Sequence, residues 1–135
     1  MDLDSSIGVS ASGLRAQALR MRVIAENLAN ADSVAQTAGG DPYRRRVATF
    51  SSEVDRATGA TEVKVKSITP DKTDFQRVYQ PGNPVADASG YVLRPNVNGL
   101  IEAADMKAAQ RSYEANLNAI ESARNMTMRT IDLLK

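Results

Sequence analysis

The chain of 135 residues contains no cysteine, no histidine and no tryptophan. Without cysteine there is neither a disulfide framework nor a thiolate nucleophile. Without histidine the commonest general base and the commonest transition-metal ligand are missing. Most hydrolase and zinc-centre readings end there. Aromatic residues are scarce too, with two Phe and four Tyr. Much of the 42% hydrophobic fraction is alanine, which buries little area, and burial stabilises at about 25 cal/mol per Å². The expectation is a thin core with helices close together, in a chain that leans on partners for stability. Neither sign of charge dominates: 17 basic against 16 acidic residues leave a net +1, which argues against a polyanion binder working through bulk charge. No apolar run approaches the roughly 18 residues of a membrane span. The opening MDLDSSIGVSASG lacks the basic and apolar regions of a cleaved secretory signal, so the expected location is the cytoplasm or a compartment reached without one.

What the chain does have is helical periodicity at both ends. Ile7, Leu14, Met21 and Leu28 fall seven apart, with Ala11, Ala18 and Ala25 interleaved, the spacing of a coiled-coil seam. Asp4, Ser5 or Ser6 is the expected N-cap, and the helix should run to about Asp32, roughly 40 Å. It ends in ENLANADS (26–33), where Leu28 closes the seam and Asn27 and Asn30 offer amides to backbone or to a neighbouring helix. Those amides are expected to lack partners in an isolated subunit. In the last third, Met106, Tyr113, Ile120, Thr127 and Leu134 are again seven apart. Leu117 and Ile131 extend that stripe, Ala109, Asn116 and Ala123 broaden it, and Gln110 and Arg124 are polar members. Asn96, Asn98 and Gly99 after Pro95 supply a helix start, predicting one helix to the C-terminus of roughly 55 Å. Asn116 is placed for an interhelical hydrogen bond.

Between the helices the period changes to two. EVKVKSI (62–68) alternates and FQRVYQ (75–80) is rich in β-formers, with TPDKTD between them as turn residues, which predicts a hairpin. VATF (47–50) and GYVLR (90–94) are candidate further strands, and PGNPVADASG (81–90) is a loop. The fold class is therefore mainly α with a small β region. Long N- and C-terminal helices flank a hairpin-containing insert. The divisions are 1–35, 36–96 and 97–135, with the first and last forming one helical domain.

No catalytic, cofactor-binding or metal site can be assembled. Arg44, Arg45 and Arg46 are the strongest local charge, but they stand alone and no nucleic-acid-binding aromatic motif accompanies them. Surface or inter-subunit pairing, shared with Arg124, is the better reading. AGGDP (38–42) lacks the Lys-Ser/Thr of a phosphate loop and reads as a tight turn. Asp71, Asp74, Asp87, Glu102 and Asp105 lack a calcium-loop spacing and read as solvated. Two other function classes stay open on these residues alone. One is a cytoplasmic helical adaptor or export chaperone. The other is a small nucleic-acid-binding module using Arg44–Arg46.

The block SGLRAQALRMRVIAENLANADS (12–33) resembles the signature of the flagellar axial proteins of rod, hook and hook-associated segments. TAGGDPYRRRVATF, VYQPGNPVADASGYVLRPNVNGLIE and DMKAAQRSYEANLNAIESARNM are similar, more narrowly, to the proximal-rod members of that family. The likeness covers nearly the whole chain. It implies a self-assembling, non-enzymatic subunit of the basal-body rod, needing no cofactor and serving motility. In such a subunit the N- and C-terminal helices pack as an antiparallel coiled coil and form the inner tube of a periplasmic drive shaft that encloses the export channel. It implies export by the flagellar type III apparatus without a cleaved signal. The implied partners are further copies of itself, the rod proteins FlgB, FlgF and FlgG and the basal adaptor FliE, with no nucleic acid and no membrane span. The helix-packing residues it leaves in place are those of the two stripes, Ile7, Leu14, Met21, Leu28, Met106, Tyr113, Leu117, Ile120 and Ile131, with the amides Asn27, Asn30 and Asn116.

Overall fold

A computed structural model describes residues 2–135. Helix α1 spans Leu3–Ala29 and helix α2 spans Gly99–Leu133, with four strands between them: β1 Arg46–Val54, β2 Thr61–Pro70, β3 Gln76–Tyr79 and β4 Tyr91–Arg94. The helices are 27 and 35 residues long, about 40 and 50 Å at 1.5 Å per residue. They are antiparallel: Gly13 of α1 meets Asn116 of α2, and Asn27 further along α1 meets Glu102 earlier in α2.

Both helices begin on a side-chain cap. The Asn98 Oδ1 accepts from the N–H groups of Leu100 at 3.0 Å and Ile101 at 3.4 Å, filling two of the donors that a helix start leaves unpaired. At α1 the cap is Asp2, which accepts the Ser5 N–H at 2.7 Å. Asp4, Ser5 and Ser6 already lie inside the first turn. The Ser5 N–H, with the Ser5 hydroxyl, holds the Asp2 carboxyl below its ordinary value, as expected of a carboxylate at the positive end of a helix.

The strands pair as β1 with β2 and β3 with β4, not β2 with β3 as the TPDKTD turn suggests. Two features decide this. Asp55 closes a tight turn after β1 by accepting the Ala57 N–H at 2.9 Å and the Thr58 hydroxyl at 3.1 Å. Gly59 there takes φ +70°, a left-handed value that glycine adopts without strain. The segment after β2 is meanwhile held open. The Asn96 amide takes the carbonyls of Asp71 and Thr73 at 3.1 Å each, and the Asp71 N–H returns to the Arg45 carbonyl at 2.8 Å. In the second pair Val78 faces Val92 and Tyr79 faces Tyr91.

The chain folds into two compact units. One contains the described residues up to Met21 with Ala48–Ser67 and Lys107–Lys135. Its buried apolar residues are Ala16, Ala60, Ala109 and Ala123, joined by buried Ser5, Ser10 and Ser12. Ser12, 2% exposed, donates to the Val9 carbonyl and accepts the Val63 N–H at 3.1 Å, which fastens β2 to α1. The other unit contains Arg22–Val47 and Ile68–Met106. It buries Val23, Ile24, Ala35, Val92 and Val97, with Pro95 among its most enclosed side chains.

The buried positions of α1 are Ser5, Ser10, Ser12, Gly13, Ala16, Val23, Ile24 and Asn27. Ile7, Leu14 and Met21 are half-buried, and Leu28 is exposed. In the first unit small side chains face the interior because the helices approach closely there. The clearest case is Gly13, where a Cβ would come within 2.7–2.9 Å of the Asn116 amide. That amide is itself tied to the Ser112 carbonyl at 2.9 Å. Gly13→Ala should therefore lower stability by about 1–3 kcal/mol, as overpacking does, outweighing the better helix propensity of alanine. Adding Asn116→Ala should remove the clash. Denaturant unfolding of the single and double variants checks this, and equal stability of the two would contradict it.

Candidate assembly surface and its buried anchor

Near the end of α1 the sequence turns polar, and there Asn27 is only 1% exposed. Its amide is fully used. Nδ2 donates to the Arg46 carbonyl at 2.9 Å and to Glu102 Oε2 at 3.1 Å. Oδ1 accepts the Arg46 N–H at 2.9 Å and the Tyr43 hydroxyl at 2.7 Å. Two donors and two lone pairs are the whole capacity of an asparagine side chain. The paired bonds to Arg46 imitate a strand neighbour, so Asn27 fixes where β1 begins. Burial pushes the Tyr43 phenol above its ordinary pKa, keeping it a donor to Asn27.

Glu102 is fully buried, although its charge reads as a solvated residue in the sequence. A lone buried carboxylate would be strongly unfavourable. Arg45 compensates it: Nε donates to Glu102 Oε1, while the guanidinium also reaches Asp71 at 3.2 Å and Asp105 at 3.5 Å. Burial alone would weaken the Arg45 charge, but the Glu102 and Asp71 carboxylates outweigh it and leave the Arg45 pKa above its ordinary value. The Arg45 N–H is taken by Asn96 Oδ1 at 2.7 Å.

The other two arginines of the run have different partners. Arg44 donates to the carbonyls of Asp71 and Thr73 at 2.9 Å each and lies 4.1 Å over the Phe75 ring, a cation–π contact. Arg46 meets Glu26 at 3.3 Å. Asn30, half-buried, donates to the Glu26 carbonyl at 2.9 Å. The amides of ENLANADS are thus satisfied inside the subunit, against the expectation that they stand unpaired. The one buried side-chain atom without a partner among the described residues is Gln17 Oε1.

On α2, Met106, Tyr113, Asn116 and Ile120 are half-buried, while Leu117 and Ile131 are 41% and 46% exposed and Arg124 is exposed. Towards the end of that helix Met126, Met128, Leu133 and Leu134 also lie open to solvent. Among the described residues no group of three or more His, Cys, Asp or Glu side chains could hold a metal ion. No described helix is long and apolar enough to cross a membrane. The arrangement offers an internal polar lock and exposed apolar side chains on α2.

The lock's central carboxylate was readable by spacing. Glu102 extends the Met106, Ala109, Tyr113 stripe back by one turn, so its position is a core position despite its charge. Tyr43 and Asn96 carry no comparable signal, because their partners are distant in sequence.

Arg45→Ala leaves Glu102 buried without a counter-charge and should cost about 3–5 kcal/mol. Replacing Arg45 and Glu102 together by methionine and leucine should cost much less, and a double-mutant cycle on denaturation midpoints measures the difference. Acid should loosen the same region. The Thr73 N–H, with Arg45 assisting, holds Asp71 below its ordinary value of 3.8. Its stabilisation is present above that value and fades as the pH falls through the lower folded one. Acid unfolding followed by amide exchange should show Arg45 and Asp71 segments losing protection only below about pH 3.8.

Comparison with known proteins gives this geometry a family. A family described as flagella basal body rod protein matches residues 7–35, and one described as flagellar basal body rod FlgEFG protein C-terminal matches residues 88–133. The flagellar basal-body rod protein FlgC of Agrobacterium fabrum is 50% identical over 133 residues, covering 98% of this chain and 96% of its own. FlgC of Salmonella typhimurium is 41% identical over 135 residues, covering 98% of each chain. FlgC of Bacillus subtilis is 39% identical over 145 residues, covering 96% and 97%. These relatives lend nothing to an adaptor or nucleic-acid-binding reading. The chain belongs to the FlgC family of flagellar basal-body rod proteins and is a structural subunit of that rod.

Proposed function

We propose that the chain is a proximal-rod subunit that acts without catalysis. Its terminal helices pack with those of neighbouring subunits into a periplasmic shaft that transmits torque and surrounds the export channel. In this reading residues 1–35 and 97–135 act as one helical domain carrying the 36–96 region. Subunits arrive through the flagellar export apparatus, and the neighbours are further copies, FlgB, FlgF, FlgG and the basal adaptor FliE.

The supporting observation is an apolar stripe on one face of α2, where Leu117, Met128 and Ile131 are between 41% and 53% exposed. Exposed apolar surface gathered on one element marks an interaction site rather than a stable free surface. A core made largely of alanine stabilises a lone subunit little and makes a neighbour's contribution important. Ile7, Leu14, Met21 and Leu28 on α1 are assigned to the same packing, with Arg124 at its polar margin. A shaft under torque needs many interlocked contacts, so single changes at exposed polar positions should be mild.

A charge within the apolar stripe should not be. Leu117→Asp should abolish motility and leave basal bodies without a completed rod in electron micrographs, while the isolated subunit keeps its helical content. Normal swimming with intact rods would count against the assigned face. Labelled subunits traced in purified basal bodies test the location directly: density at the proximal rod is expected, and absence from the rod would overturn it.

A further inference from the structure

The asparagine that caps α2 is followed by glycine, the only Asn-Gly pair in the chain. Asn98 and Gly99 are both exposed, and a Cβ added at Gly99 would meet nothing within 4 Å. We propose that Asn98–Gly99 is a self-modifying junction, at which the Asn98 amide is lost and the peptide becomes an aspartyl or isoaspartyl linkage.

The step balances without an added reagent other than water. The Gly99 nitrogen attacks Asn98 Cγ, a carbon–nitrogen bond forms, and the Cγ–Nδ2 bond breaks. Nδ2 leaves as ammonia, taking the proton given up by the Gly99 N–H, and a five-membered succinimide remains. Water then opens either imide bond, its hydroxyl going to the carbonyl carbon and its proton to nitrogen. Opening at Cγ gives aspartate, and opening at the main-chain carbonyl gives isoaspartate.

The fold favours this residue over the other seven asparagines in three ways. The Asn98 Oδ1 lies against the N–H groups of Leu100 and Ile101. These donors face the oxygen on which charge develops when Cγ is attacked, an oxyanion-hole arrangement. The positive end of the α2 dipole also favours the deprotonated attacking nitrogen. Finally, the Gly99 N–H belongs to the first turn, where amides have no partner within the helix. Asn83 precedes Pro84, which has no N–H to attack with. Asn116, Asn118 and Asn125 lie inside α2, where the following amide is committed to the helix. Asn27 is buried in its hydrogen bonds, Asn30 precedes Ala31, whose N–H is donated to the Leu28 carbonyl at 3.3 Å, and Asn96 is tied to Arg45, Asp71 and Thr73.

The two products differ in consequence. Aspartate caps a helix as well as asparagine and adds a favourable negative charge at its N-terminus. Isoaspartate inserts a methylene into the main chain beside the Asn98 carbonyl, which accepts the Glu102 N–H at 3.0 Å. It therefore displaces the turn that carries the buried Glu102.

The purified full-length chain, aged in warm and mildly alkaline buffer, should be digested and mass-mapped, with isoaspartate counted by enzymatic methylation. The peptide holding Asn98 is expected to gain one dalton ahead of every other asparagine peptide, faster as the pH is raised. Gly99→Ala, which the open Cβ position accommodates, should slow conversion several-fold with an unchanged circular-dichroism spectrum. The proposal is overturned if the folded chain keeps its Asn98 amide while the synthetic peptide of the same residues converts. It is equally overturned if another asparagine converts first, or if Gly99→Ala reacts at the parental rate.

Discussion

The second compact unit is organised by one buried polar contact, the meeting of Asn27 and Glu102 at 3.1 Å. Each group is costly to bury alone, and each is made acceptable by the strand entry between them: Arg45 neutralises Glu102, and Arg46 returns both backbone groups to Asn27. The end of α1, the start of β1 and the first turn of α2 are therefore specified together. An apolar trio of the same size would hold these elements by area alone and would tolerate a slip. The polar set tolerates none, because any shift leaves a buried donor or acceptor without a partner.

The first unit is held differently. Its interior is alanine and serine, with Gly13 set against Asn116 and Ser12 fastening β2. Such an interior gains stability from close helix approach rather than from large buried side chains. The larger apolar groups of the helices are turned outward instead, Leu117, Met126, Met128 and Leu134 among them. In a rod subunit that distribution is physically coherent. The material that would form the core of a free-standing domain lies exposed instead.

The helices were legible because a heptad stripe and an Asn-Gly start are local signals, and α2 begins one residue after Asn98. The strands at VATF and GYVLR were legible for the same reason. Strand pairing was not, since it turned on the Asp55 turn and on the hold of Asn96 over Asp71 and Thr73, a contact between residues distant in sequence. The α1 stripe of Ile7, Leu14 and Met21 is only half-buried within the subunit, because in the first unit the innermost positions of α1 are taken by Ser5, Ser12, Gly13 and Ala16. Glu102 was misread because its charge obscured its place in the stripe.

Of all the groups in the lock, the Arg46 amide reports on it most directly. Its residue is exposed at the start of a strand, so a simple edge position would exchange its N–H quickly. Here that N–H is donated to the 1%-exposed Asn27. Residue-resolved amide exchange on the full chain should find Arg46 among the most protected of the β1 amides, with protection lost in Asn27→Ala. Exchange at Arg46 as fast as at the exposed turn residue Arg56, or protection that survives loss of the Asn27 amide, would contradict the account.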